Sequence, residues 1–235
     1  AALGAALIGT GPVVFAMAII QILGALWFSS NREVGTLQIP KSSGKMGKVL
    51  KNRVVFTNAI IGLLMVGSFS GVEVGTVAVL GKSMAGPVIA VFSVGSIVGG
   101  LLLGNRNKSK WALTRFLGLI SFGYLLVFIN PTDPIWVSAA WFIAGLGIAP
   151  ALGLLGAIIG ASVKTADAPE AYGWVGSGQM IGYAGAAAIA GLSIDLIAPE
   201  AALLVAVVMG GGAVLVALMS AKFTPVISSS DQEEE

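Results

Sequence analysis

Residues 54–80 read VVFTNAIIGLLMVGSFSGVEVGTVAVL, a run in which Glu73 is the only charged side chain. As a helix it rises about 40 Å at 1.5 Å per residue. The hydrocarbon core of a bilayer is about 30 Å thick. The run is therefore long and apolar enough to cross a membrane, and it has company. Five more apolar segments follow, at 84–104, 113–130, 135–163, 172–197 and 200–221, and another precedes it at 12–28. Ala1 to Gly9 are apolar too, and Thr10-Gly11-Pro12 reads as a turn with Pro12 opening a helix. With no initial Met and no basic leader, the chain is expected to be the C-terminal part of a longer protein. The predicted fold class is an all-α, polytopic transmembrane helix bundle. Prolines respect the segments: Pro12, Pro87, Pro169 and Pro199 sit at or near helix starts, and only Pro150 falls well inside a span, where it kinks the helix.

Composition agrees. Charged residues are 10 % of the chain and hydrophobic residues 56 %, where a soluble domain carries roughly 25 % charge. Too few charges remain to cover a water-facing surface, and the hydrophobicity excludes disorder. The chain has no Cys and no His. That removes disulfides, thiolate metal sites, Ser-His-Asp triads and zinc-protease helices. No cofactor, no metal and no enzymatic activity are expected.

The 13 Lys and Arg residues set an orientation. The connector 29–53 holds Arg32, Lys41, Lys45, Lys48, Lys51 and Arg53; the 105–115 loop holds Arg106, Lys108, Lys110 and Arg115. Lys164 and Lys222 follow later spans. If each segment crosses once, these twelve fall on one side and Lys82 alone on the other. The twelve mark the cytoplasmic side of a plasma (inner) membrane, with the acidic tail Asp231-Gln232-Glu233-Glu234-Glu235 inside. The basic pI then reflects topology, and no nucleic-acid partner is expected. Met46, Val49 and Leu50 share a helical face among Lys45, Lys48 and Lys51. This reads either as a basic amphipathic turn on an anionic leaflet or as a solvated linker. The organisation is thus 1–28, the end of a first bundle; 29–53, a basic linker; 54–222, a six-helix bundle; and 223–235, an acidic tail.

A long basic connector followed by six helices and a cytoplasmic tail resembles the second half of a major facilitator superfamily transporter. Gly100-Leu-Leu-Leu-Gly104-Asn105-Arg106-Asn107-Lys108-Ser109-Lys110 is similar to that superfamily's Gly-x-x-x-Asp-Arg-x-Gly-Arg-Lys loop, with Gly104 at the Asp position and Lys108 at the second Gly. Pro169-Glu-Ala-Tyr-Gly-Trp-Val-Gly-Ser-Gly-Gln179 and Ser70-Gly-Val-Glu73-Val-Gly-Thr76 are similar to the eleventh and seventh helices of drug-efflux-like bacterial members. The resemblance implies helices six to twelve plus the end of five, a missing N-terminal half as partner, and a cytoplasmic gating loop at Gly100 and Arg106.

Glu73 is the one acid well within a span, where a charge costs about 2.5–3.5 kcal/mol. It is a candidate for proton coupling or cation recognition; alternatively it is a structural carboxyl bonded to Ser70 or Thr76, one turn away. Gln179 lies within about 40° of Tyr172 and Tyr183 on a helical projection. This stripe either lines a substrate cavity or ties helices together. Asn58 and Trp141 are further cavity candidates, with a cap and a core residue as the alternatives. Asp133 and Asp195 read as boundary charges. Gly-x-x-x-Gly pairs such as Gly67/Gly71, Gly95/Gly99 and Gly178/Gly182 point to close helix packing. Gly145, Gly147 and Pro150 form a candidate conformational hinge.

The function these readings favour is secondary active transport by alternating access, with proton-coupled efflux of a hydrophobic or amphiphilic small molecule. The partners are then the lipid bilayer, the substrate and protons. Alternatives are an uptake carrier for a sugar or other metabolite, and a non-transporting scaffold or receptor. A membrane enzyme lacks the clustered acid–base groups it needs.

Overall fold

The computed structural model describes residues 10–30, 47–104 and 109–225. Arg106, Met46 and the acidic tail lie outside the described residues. Within them all regular structure is helical: α1 (Thr10–Ser29), α2 (Arg53–Leu103), α3 (Ala112–Val127), α4 (Pro134–Gly145), α5 (Ile148–Ser162), α6 (Ala168–Leu196) and α7 (Ala201–Ser220). Short 3-10 turns sit at Lys48–Lys51 and Thr165–Asp167. Several of these helices are long and apolar enough to cross a membrane.

The 51 residues of α2 would run about 76 Å as one rod, more than twice the hydrocarbon core. Gly81 prevents this. Its φ of 75° and ψ of 164° are non-helical, a conformation open to a residue without Cβ. The chain folds back there, because the Phe69 and Phe92 rings, on opposite sides of Gly81, pack edge-on with centroids 5.9 Å apart. The first arm (53–80) and second arm (82–103) are therefore antiparallel, matching the expected 54–80 and 84–104 spans. The expected 135–163 span runs over Pro134–Ser162 and is kinked, as Pro150 predicts. α4 ends at Gly145 and α5 begins at Ile148, because Pro150 has no N–H for the Leu146 carbonyl.

Local signals place the ends. The Asn52 carboxamide accepts the Val54 N–H at 2.9 Å, and the Asp133 carboxylate accepts the Ile135 N–H at 2.9 Å. Both are N-caps, and Pro134 follows at the first turn of α4.

Close contacts fix the directions. The first arm runs parallel to α6, since Ala59 meets Gly178 and Leu63 meets Gly182. It runs antiparallel to α7, since Gly71 meets Ala206 and Gly75 meets Leu203. The second arm runs parallel to α4–α5, with Gly95 on Phe142, Gly99 on Leu146 and Gly100 on Ala149. α3 runs antiparallel to α4, with Gly123 on Ala144 and Gly147 on Phe116. Take the first arm, second arm and α3 as one triplet, and α4–α5, α6 and α7 as the next. Helix one of each triplet then packs parallel to helix two of the other and antiparallel to helix three of the other, and glycines mediate the contacts. The triplets run in opposite directions, so the bundle has the contact pattern of an inverted repeat.

Alternating directions also gather the charges. Among the described residues Lys48, Lys51, Arg53, Lys110, Arg115, Lys164 and Lys222 cluster toward one end of the bundle, and Lys82 alone of the bases at the other.

The core is aromatic. Trp141 packs edge-on against Phe92 and Tyr124, with centroids 6.2 and 5.7 Å away. Trp141 Nε1 donates to Thr76 Oγ1 at 3.0 Å, and the Tyr124 and Ser68 hydroxyls are 2.9 Å apart. These bonds matter because a buried polar atom without a partner costs about 1–3 kcal/mol. Outward faces carry Val94, Ile97, Leu101, Leu125, Leu192 and Met219, all exposed. α1 is exposed almost throughout; of its described side chains only Val13 is buried. A helix apolar on every side suits an apolar solvent.

Candidate functional site

The seam between the first arm and α6 carries three of the candidate polar residues, Glu73, Gln179 and Tyr183. Gly62 and Glu73 are three helical turns apart and share a stripe of the first arm. α6 crosses that stripe. Gln179 lies over Gly62, where a Cβ would come within 3.1 Å of Gln179 Cγ. One turn further along α6, the Tyr183 hydroxyl donates to Glu73 Oε2. Tyr183 is 36 % exposed and Glu73 is half-buried, so the pair opens on the outside of the six-helix unit.

Small residues make this seam possible. The Gly182 carbonyl sits 2.9 Å from where a Gly67 Cβ would be, and the Ala59 carbonyl 3.1 Å from a Cβ on Gly178. Backbones this close carry Tyr183 to Glu73 on a short reach. The alternative partners for Glu73 are otherwise engaged or silent. Thr76 Oγ1 bonds to the Val72 carbonyl and to Trp141, and Ser70 Oγ is buried without a partner.

The remaining candidates divide. Trp141 has no exposed surface and belongs to the core; the expected cavity role gives way to ring packing and the bond to Thr76. Asn58 is 2 % exposed, with Nδ2 on the Val54 carbonyl at 2.8 Å and Oδ1 unpartnered. Tyr172 leaves the stripe and donates to the Gly156 carbonyl at 2.9 Å, joining α6 to α5. Gly100 meets Ala149 at the end of the second arm, while Arg106 lies outside the described residues. Gly145 and Gly147 flank the break between α4 and α5, yet both are tightly packed. A Cβ on Gly145 would lie 3.0 Å from the Gly95 Cα, and one on Gly147 2.6 Å from the Phe116 carbonyl oxygen. The hinge candidate is thus a close-packed break. Asp133 caps α4, and Asp195 is exposed near the end of α6.

Two polar residues were not singled out by sequence reasoning. Asn52 caps α2 and sends Nδ2 to the Ser162 carbonyl at 2.9 Å; an Asn just before an apolar run is a readable cap signal. Glu170 Oε1 accepts from the Gly47 N–H at 2.5 Å and from Trp174 Nε1 at 3.3 Å. Only the Trp174 bond is local enough to have been foreseen.

Among the described residues no cluster of acids forms a metal site. No family model, curated protein or solved structure matches the chain. The fold and seam define its class: an all-helical protein with several helices long and apolar enough to cross a membrane, and with Glu73 on an open face of the bundle.

Proposed function

We propose that this protein is a secondary active transporter that exports a hydrophobic or amphiphilic small molecule in exchange for protons. The observation that carries this reading is the Glu73–Tyr183 pair: a single carboxyl within a span, half-exposed on the seam between two helices and held by one phenol. Acids inside membrane spans are expensive and concentrate on ion and substrate pathways. A carboxyl on an opening face can exchange a proton when the face is wet and retain it when the face closes. Along the same seam, Gln179 at Gly62 and Tyr183 at Glu73 offer an amide and a ring beside an otherwise apolar wall, which suits ring contact and a few hydrogen bonds.

The inverted contact pattern supports the same reading. Alternating access works by rocking one bundle against another around a site near the midplane. The six-helix unit is tied by its aromatic core, while the seam lies on its uncovered side. The chemistry of Glu73 requires neither metal nor cofactor.

The test is proton movement. Full-length protein is reconstituted in vesicles holding a fluorescent pH dye, and ethidium, a lipophilic cation, is added as probe. Ethidium-dependent proton flux that vanishes in protein-free vesicles supports the proposal. Ethidium movement with no proton flux contradicts the coupling, and absence of both across lipophilic cationic and neutral dyes contradicts export of this class.

A further inference from the structure

The basic end of the seam is closed by a strap that the transport reading leaves unused. Gly47 has φ +85°, in the left-handed region that favours glycine. That turn aims its N–H at Glu170 Oε1, 2.5 Å away, near the start of α6. The next residues form the Lys48–Lys51 turn, which buries Val49 and packs Leu50 against Val55, Ile159, Ala171 and Val175. Those four side chains come from the first arm, α5 and α6. The strap ends at Asn52, whose Nδ2 holds the Ser162 carbonyl at the end of α5. One short segment is thus bonded to α5 at one point and to α6 at another, with an apolar plug beneath it. Gln179 lies one turn beyond Val175 on α6, just inside the plug.

We propose that residues Gly47–Asn52 are a latch that holds the basic end of the seam shut, and that release of Glu170 and Ser162 frees Leu50 and lets α5 and α6 part beneath Gln179. The purpose assigned to this motion rests on the transport reading; the latch itself rests on the contacts. Its ligating groups are two backbone atoms and two side chains, so it can be weakened without touching Glu73, Tyr183 or Gln179.

The test uses thiol accessibility, which needs no transport and so separates failure of the latch from failure of the export reading. The chain has no Cys, so Val175→Cys, at a plug position only 6 % exposed, reports opening. Ala206→Cys, in the fully buried core, reports general loosening. Full-length protein in vesicles is treated with a membrane-impermeant methanethiosulfonate from the basic side. Glu170→Ala combined with Asn52→Ser, which keeps an N-capping hydroxyl, should label Val175→Cys about tenfold faster. That factor corresponds to about 1.4 kcal/mol, within the range for the net loss of the two latch hydrogen bonds. Gly47→Ala, with Glu170 intact, should act in the same direction by straining the turn. Labelling of Ala206→Cys should stay unchanged. Equal rates at Val175→Cys in latch variants and parent would overturn the proposal, as would a parallel rise at Ala206→Cys.

Discussion

Replacing Gly182 with Ala tests the packing on which the seam depends. A Cβ there would lie 2.7 Å from the Leu63 carbonyl carbon and 2.9 Å from its Cα. Carbon atoms at optimal separation sit about 3.5–4.0 Å apart, so α6 must retreat from the first arm by about 0.8 Å or more. Both obstacles are backbone, and neither can rotate away. Overpacking of this kind costs about 1–3 kcal/mol, and here the displaced neighbour, Tyr183, also loses its short reach to Glu73. Gly185, three residues further along the same helix, has nothing within 4 Å of its Cβ position, and Gly185→Ala serves as the control. For a chain of this size about 2 kcal/mol lowers the melting temperature by roughly 4–8 °C. The assay is thermal unfolding of purified protein in detergent, followed by the fraction that stays monodisperse. Gly182→Ala should melt several degrees lower and Gly185→Ala within about 1 °C of the parent. Equal melting temperatures for the two variants would refute the close-packed seam.

The matching contact in the other triplet makes a parallel prediction: Gly99→Ala, whose Cβ would lie 2.6 Å from the Leu146 carbonyl carbon, should lose as much stability as Gly182→Ala in the same melting assay. Trp141→Ala removes the buried ring and leaves Thr76 without its indole donor, so chemical unfolding should show a loss of about 3–5 kcal/mol; a loss under about 1 kcal/mol would contradict the aromatic core. Pro150→Ala supplies an N–H for the Leu146 carbonyl, so that α4 and α5 can join into one helix. It should raise the melting temperature while slowing dye export, and unchanged export would end the hinge role of Gly145, Gly147 and Pro150.

Hydrophobic run length made the spans legible, because a bilayer crossing has a length that composition can be measured against. The 54–80 and 84–104 segments and the reversal between them could be read directly, since Gly81 and Lys82 interrupt an apolar run. The break at Leu146-Gly147 was half legible: Pro150 signals a kink, but its exact place depends on which carbonyl loses its partner. The partner of Glu73 was hidden, because Tyr183 stands 110 positions away and only the packing of α6 on the first arm brings it near. Glycine spacing announced close contacts without saying between which helices. Trp141 shows the same limit in reverse. An aromatic near a helix end reads equally as cavity wall or core, and only the neighbours Phe92, Tyr124 and Thr76 decide it.

The central claim is that Glu73 couples proton movement to export, and the direct measurement is dye-driven proton flux in vesicles with full-length Glu73→Gln. Glutamine keeps the size of the side chain and an acceptor for the Tyr183 hydroxyl, so expression and melting should match the parent. The account predicts that the proton flux disappears in this variant. Proton flux that persists at the parent rate, with the same dependence on pH, would contradict it.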